Sequence, residues 1–296
     1  MNQTAGDIGF IGLGVMGEPM CRHLALKSGQ AVRAFDRDPA PLDRLAAHGV
    51  RAVASARDAV VGTVVVFLSL PSGEIVESVC RGAGGLLDTV TSGQTVVDLG
   101  TSPVDVTRKL ASDFAARGVT YVDAPVARTR AAAEAGKLSV MVGAEPDVFD
   151  RLQPLIATFA SDITHCGGVG CGQVVKILNN LVLFQTVLAL SEAKVIGERA
   201  GVDPALLFDT LSKGSADSFA LRNHGMKAIV PDEFPERAFP VTYARKDLGY
   251  ARRLAVQGGV DARVAPIVDA WFQAAIDAGA GDQYFPVISR LIGETH

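Results

Sequence analysis

Lys176 and Asn180 stand four residues apart in the segment Gly170-Cys171-Gly172-Gln173-Val174-Val175-Lys176-Ile177-Leu178-Asn179-Asn180-Leu181. The segment reads as the start of a long apolar helix, and side chains at i and i+4 share one helical face. An ammonium that can give or take a proton is thereby set beside an amide that can hold a substrate oxygen. A second constellation is Gly12-Leu13-Gly14-Val15-Met16-Gly17, which follows a short apolar strand and opens a helix. In that setting the first glycine permits a tight turn, the second lets backbone approach a pyrophosphate, and the third lets helix pack on strand. The helix N-terminus adds unpaired N–H groups and a dipole that favour negative charge. Asp36, nineteen residues after Gly17, ends the next strand, where a carboxylate can accept from both ribose hydroxyls and repels a 2'-phosphate. That favours NAD. Arg37 keeps NADP open, because a guanidinium there can receive the phosphate; its other reading is a solvated loop arginine. The two constellations together predict hydride-transfer chemistry.

The elements that must position these residues follow from periodicity. From Asp7 to about His165, β-branched runs alternate with amphipathic stretches, the rhythm of a parallel sheet wound on both faces. Strands are expected at 8–11, 31–35, 64–68, 95–99, 120–123, 138–142 and 162–166, with helices such as 17–27, 41–47, 102–117 and 145–159. Gly29, Gly49 and Gly118 end several of these helices. After Cys166 the rhythm stops: a Gly-rich bend precedes a helix over about 173–200, roughly 40 Å long at 1.5 Å per residue. Polar residues interrupt that helix, so a buried central helix is expected rather than a membrane span. Helical stretches are expected at 204–212, 219–229, 242–256, 266–278 and 285–292. The fold class is α/β: a Rossmann-type doubly wound domain over 1–166 and an all-helical substrate and dimerisation domain over 167–296.

Composition narrows the partners. The chain has 296 residues, 48% hydrophobic and 20% charged, enough for two filled cores. A net charge of -4 gives no electrostatic reason to expect nucleic acid or an anionic membrane. Cys21, Cys80, Cys166 and Cys171 form no CxxC pair, so a reduced cytoplasm is expected and a disulfide framework is not. Cys166 and Cys171 lie near His165, yet no second cluster completes a tetrahedral site, and they read as packing residues rather than metal ligands. Met1 to Gly6 is polar, without the features of a signal peptide.

Five motifs in order, Gly9 to Gly17, Leu70-Pro71, Gly100-Thr101-Ser102-Pro103, Gly170 to Asn180 and Lys246-Asp247-Leu248, resemble those of the β-hydroxyacid dehydrogenases. That family includes 3-hydroxyisobutyrate dehydrogenase and tartronate semialdehyde reductase, with 6-phosphogluconate dehydrogenase as a larger relative. The resemblance implies that Val15 and Met16 touch the dinucleotide through backbone, that Leu70 and Pro71 line its cleft, and that Thr101 approaches the nicotinamide side. It implies that Lys246 contacts the cofactor from the helical domain, that Lys176 is the catalytic lysine and that Asn180 holds substrate, with the neighbouring Asn179 a further candidate for substrate contact. It also implies homodimers or homotetramers.

The substrate loop departs from type. Where most relatives read Asp-Ala-Pro-Val-Ser-Gly-Gly, this chain reads Asp123-Ala124-Pro125-Val126-Ala127-Arg128-Thr129-Arg130. Arg128 can grip an anion bidentately and Thr129 can add a hydroxyl donor. Arg128 and Thr129 match the Gly-Arg-Thr loop of sulfolactaldehyde reductases in the family; Ala127 does not match its glycine. Arg130 reads as a surface residue. The expected reaction interconverts a small anionic 3-hydroxy acid, or its sulfonate analogue, with the aldehyde, Lys176 being general acid and base. One alternative is a carboxylate-specific tartronate semialdehyde or 3-hydroxyisobutyrate type of enzyme with Arg128 uninvolved. Others are an imine reductase, which Lys176 argues against, and a non-catalytic dinucleotide-binding protein.

Overall fold

The computed structural model describes residues 6–236 and 238–293, so the polar stretch Met1 to Gly6 lies, but for Gly6, outside the described residues. The chain divides into two compact units, Met1–Lys176 and Ile177–His296. The division falls inside one helix, downstream of the Gly-rich bend at which sequence placed the domain boundary.

The first unit is built on β1 (Ile8–Ile11), β2 (Val32–Phe35), β3 (Arg51–Ala52), β4 (Val65–Leu68), β5 (Thr95–Asp98), β6 (Thr120–Asp123), β7 (Val126–Ala127), β8 (Leu138–Gly143) and β9 (Ala160–Gly167). They form one sheet in the order β3-β2-β1-β4-β5-β6-β8-β7, with β9 on β8. Strands β1 to β6 pair in parallel. The parallel sheet expected from the sequence changes direction at the far edge, where β8 runs antiparallel to β6 and β7. Between β7 and β8 the chain forms only a five-residue helix, too short for a parallel crossover. Alternation along the strands feeds two apolar layers. Val65 and Phe67 join Phe10, Val97 and Val122 on one face; Val66 and Leu68 join Val96 and Tyr121 on the other.

Helices α1 (Gly17–Lys27), α2 (Pro39–Ala46), α3 (Ala56–Val60), α4 (Gly73–Arg81), α5 (Val104–Ala115), α6 (Arg130–Glu134) and α7 (Pro146–Ile156) cover that sheet. Helix α2 starts earlier than expected because Asp38 caps it, accepting from Ala40 N–H, with Pro39 at its first position. Helix α5 starts later than expected, since Ser102 precedes a proline and is held away from helical conformation.

Helix α8 (Cys171–Arg199) has 29 residues and is long and apolar enough to cross a membrane. Gln173, Lys176, Asn180 and Ser191 are nonetheless buried along it, and Phe184, Val187 and Leu190 lie in the core of the second unit, the profile of a core helix. That unit also holds α9 (Pro204–Leu211), α10 (Val241–Gln257) and α11 (Ala265–Asp277). The stretch expected as a helix at 219–229 forms π-type turns over Leu221–Ile229, and that at 285–292 a 3-10 helix over Phe285–Arg290. Phe184, Phe272 and Phe285 pack edge to face, with Phe184 centroids 5.4 and 5.3 Å from the other two.

Candidate active site

The carboxyl ends of β2, β1, β4 and β5 lie side by side, and each carries an expected cofactor residue. This is the edge where open α/β sheets bind dinucleotides, and chain order reverses between β1 and β4. The three fingerprint glycines have different physical reasons. Gly12 has φ +95°, and a Cβ there would meet the Ser69 carbonyl oxygen at 2.3 Å. A Cβ on Gly17 would meet the Gly12 carbonyl oxygen at 2.1 Å. At Gly14 a Cβ would meet nothing within 4 Å. The fold therefore requires Gly12 and Gly17, while the room at Gly14 is space a ligand can use, and the turn fits a pyrophosphate. Val15 is exposed and Met16 half-buried where α1 begins. Asp36 accepts from Leu13 N–H at 2.5 Å and Asp38 N–H at 2.8 Å, which ties the end of β2 to the fingerprint turn. Arg37 is exposed; Leu70 is half-buried and Pro71 exposed beyond β4.

Thr101 follows β5 in a segment fixed from two sides. Asp98, fully buried at the end of β5, accepts from Gly100 N–H at 2.9 Å and the Ser102 hydroxyl at 2.8 Å. From α8, the Gln173 carboxamide oxygen accepts from Ser102 N–H at 3.0 Å and its Nε2 donates to the Gly100 carbonyl at 2.9 Å. The first turn of α8 is held in turn by Asp123, whose carboxylate accepts from Gly170 N–H at 2.7 Å and Gln173 N–H at 2.8 Å. Burial pushes the carboxyls of Asp98 and Asp123 up to about 6, against their hydrogen bonds. One turn beyond Gln173 comes Lys176, 9% exposed.

Asn180 lies one turn further on α8, 1% exposed. Its Nδ2 donates to Asp247 at 2.8 Å, and its Oδ1 accepts from Asn179 at 3.1 Å; Asn179 itself is exposed. Lys246 pairs with Asp247 at 2.9 Å and lies over the rings of Tyr243 and Tyr250.

Arg128 has φ +86°, a backbone conformation that favours glycine. Its guanidinium donates to the Lys137 carbonyl and the Ser161 hydroxyl, both at 2.8 Å, and pairs with Asp162 at 2.7 Å. Ser161, with Arg128 second, holds the Asp162 carboxyl below the usual range. Thr129 caps α6, accepting from Ala132 N–H, and Arg130 pairs with Glu134 at 3.8 Å. Cys21 and Cys80 are buried, Cys166 and Cys171 half-buried, and all four are free thiols. Among the described residues no three His, Cys, Asp or Glu side chains cluster as metal ligands. Sequence reasoning gave no role to Asp98, Gln173 or Asp247. The available signals were a carboxylate closing an apolar strand and a glutamine one turn before the lysine.

Fold and site define a dinucleotide-dependent oxidoreductase with a doubly wound NAD(P)-binding domain. Residues 7–168 match the NAD binding domain of 6-phosphogluconate dehydrogenase, and residues 170–292 match the NAD-binding region of NADP-dependent 3-hydroxyisobutyrate dehydrogenase. The chain is 36% identical to 2-(hydroxymethyl)glutarate dehydrogenase of Eubacterium barkeri over 96% of its own length and 94% of the relative's. It is 36% identical to 3-hydroxyisobutyrate dehydrogenase of Pseudomonas aeruginosa over 83% and 84% of the two chains. The solved structure of Mycobacterium tuberculosis 3-hydroxyisobutyrate dehydrogenase with L-serine superposes with a TM-score of 0.88 at 29% identity, covering 97% of this chain and 99% of that one. The chain belongs to the β-hydroxyacid dehydrogenase family and is an NAD(P)-dependent dehydrogenase or reductase acting on CH–OH groups.

Proposed function

We propose that this enzyme interconverts a C2-substituted 3-hydroxypropionate and its aldehyde, with NAD preferred and Lys176 as general acid and base. The observation that carries the reading is the burial of Lys176 on a helix whose first turn is bonded to the Thr101 segment through Gln173. The named substrates and ligand of the similar proteins, 2-(hydroxymethyl)glutarate, 3-hydroxyisobutyrate and L-serine, share a primary alcohol two carbons from a carboxylate and differ at the carbon between. Gly12, Gly14, Val15, Met16 and Gly17 would hold the pyrophosphate, Asp36 the ribose, and Leu70, Pro71, Thr101 and Lys246 the remainder of the cofactor. When bound, the nicotinamide supplies or accepts hydride at the substrate carbon.

During oxidation the neutral Lys176 amine takes the hydroxyl proton as the carbonyl forms. During reduction the ammonium stabilises negative charge on the oxygen and returns the proton. Asn180, its amide oriented by Asp247, holds a substrate oxygen, with Asn179 beside it. Asp36 supports NAD, while the exposed Arg37 keeps NADP open by offering a guanidinium to its 2'-phosphate. The engagement of Arg128 by Asp162, Ser161 and Lys137 favours the carboxylate substrate. The second reading, a sulfonate held by Arg128 and Thr129, rests on the loop sequence. A homodimer or homotetramer fits the apolar residues Val175, Leu178, Val182 and Ile196 exposed along α8.

The test is NAD reduction with 2-(hydroxymethyl)glutarate, 3-hydroxyisobutyrate and L-serine, beside NADH oxidation with tartronate semialdehyde and sulfolactaldehyde, in the parent, Lys176→Ala and Arg128→Ala. Expected is turnover of a carboxylate substrate, kcat lowered by about a hundredfold or more in Lys176→Ala, and little change in Arg128→Ala. Full kcat in Lys176→Ala would remove the lysine from the mechanism. A sulfonate preference that disappears in Arg128→Ala would establish the second reading.

A further inference from the structure

We propose that Gln173 is a positioning residue, a two-ended clamp that sets the register of the Lys176 helix against the Thr101 segment; the inference rests on Lys176 being the acid–base group. Gln173 is fully buried and uses both ends of its carboxamide on one short stretch of backbone, accepting from Ser102 N–H and donating to the Gly100 carbonyl. The residue between those two anchor points is Thr101. Lys176 follows Gln173 by three positions, so the two side chains rise from one face of α8.

Each partner of the clamp is itself immobilised. Asp98 binds Gly100 N–H and the Ser102 hydroxyl from the strand side. Asp123 binds Gln173 N–H and Gly170 N–H, fixing where the helix begins. Met141 and Gly143 close the remaining side, because a Cβ on Gly172 would meet the Met141 carbonyl oxygen at 2.4 Å and Gly143 N at 2.9 Å. With its ends and its helix held, the Gln173 carboxamide is the link that transmits the position of β5 to Lys176. Misplacement by about 1 Å far from the reacting atoms can cost about a hundredfold in rate.

Two substitutions separate this role from simple space filling. Gln173→Met keeps the volume and loses both hydrogen bonds. Gln173→Glu keeps both only when protonated, its carbonyl oxygen accepting from Ser102 N–H and its O–H donating to the Gly100 carbonyl; ionised, it sets a second oxygen against that carbonyl. Asp98 and Asp123 are the carboxyls nearest the clamp, and their negative charge favours the protonated form.

The experiment combines hydrogen exchange of the segment 99–103, without added cofactor, with kcat and KM on the best of the substrates above, for the parent, both variants and Lys176→Ala. Gln173→Met is expected to exchange about tenfold faster at the Ser102 amide and to lose about tenfold or more in kcat with KM within about threefold. Gln173→Glu is expected to recover toward the parent kcat as pH falls, a recovery absent in Gln173→Met. Unchanged exchange in Gln173→Met overturns the clamp whatever the kinetics. Unchanged kcat with faster exchange overturns its positioning role. Full activity in Lys176→Ala instead removes the lysine reading, and exchange alone then decides whether the clamp exists.

Discussion

Arg128 and Asp232 are the non-glycine residues with positive φ among the described ones. At Arg128 the left-handed backbone costs roughly 1–2 kcal/mol relative to glycine, whereas its ion pair with Asp162 is exposed and screened by water. The strain therefore orders two substitutions. Arg128→Gly removes the strain together with the exposed ion pair and the exposed hydrogen bonds to the Lys137 carbonyl and the Ser161 hydroxyl, opposing effects that should leave its urea unfolding within about 1 kcal/mol of the parent. Arg128→Ala removes the pair and keeps the strain, so it should be less stable than Arg128→Gly by about 1 kcal/mol. An alanine variant as stable as the glycine variant would show that the loop relaxes and that no strain is held there. The sequence marks Arg128 as a departure from the family's glycine. It does not mark the partners, because Lys137, Ser161 and Asp162 reach the arginine only through the pairing of β7, β8 and β9.

At the scale of elements, the turn between β1 and α1 makes a sharper distinction than its glycine spacing. Gly14→Ala should leave stability within about 0.5 kcal/mol of the parent, because its Cβ meets nothing within 4 Å. It should still weaken NADH binding by about tenfold or more, since that space is where pyrophosphate approaches. Gly17→Ala should cost about 2 kcal/mol or more, because its Cβ would lie 2.1 Å from a backbone oxygen. Urea unfolding and NADH fluorescence titration read the two effects separately; a Gly14→Ala protein with parental NADH affinity would count against the pyrophosphate assignment. The β1–α1 unit was legible because Ile8–Ile11, the three glycines and Asp36 are close in sequence. The link from β5 and β6 to α8 was not, because Gln173 meets Ser102 across 71 residues and no periodicity records such a pairing. The antiparallel β7–β8 edge escaped for a related reason: a two-residue strand carries no alternation to read.

For the molecule as a whole, buried carboxyls and a buried histidine respond to acid in opposite senses. Asp98 and Asp123, in the first unit, have carboxyls raised to about 6 by burial. The folded state then holds protons that the unfolded state has released, so their contribution is largest below about pH 4 and is lost as pH rises through about 6. His224, in the helical unit, is lowered to about 4 by burial, beside Tyr284, whose hydroxyl contacts its Nδ1. Its contribution is present above about 6.5 and lost as pH falls toward about 4. Each group changes stability by at most about 1.4 kcal/mol per pH unit, and subtracting a variant from the parent cancels every other titrating group. Between pH 7 and pH 5, His224→Phe should gain about 2 kcal/mol on the parent, whatever the fixed cost of the lost Tyr284 contact. Trp271, the sole tryptophan, lies on α11 and reports that unit in urea by fluorescence. Asp98→Asn should move the other way, losing about 1 kcal/mol on the parent over the same interval, read from hydrogen exchange in β5 and β6. Parallel pH curves for parent and His224→Phe would mean that the histidine takes up its proton without unfolding, with water or a rearranged Tyr284 reaching it inside the aromatic core.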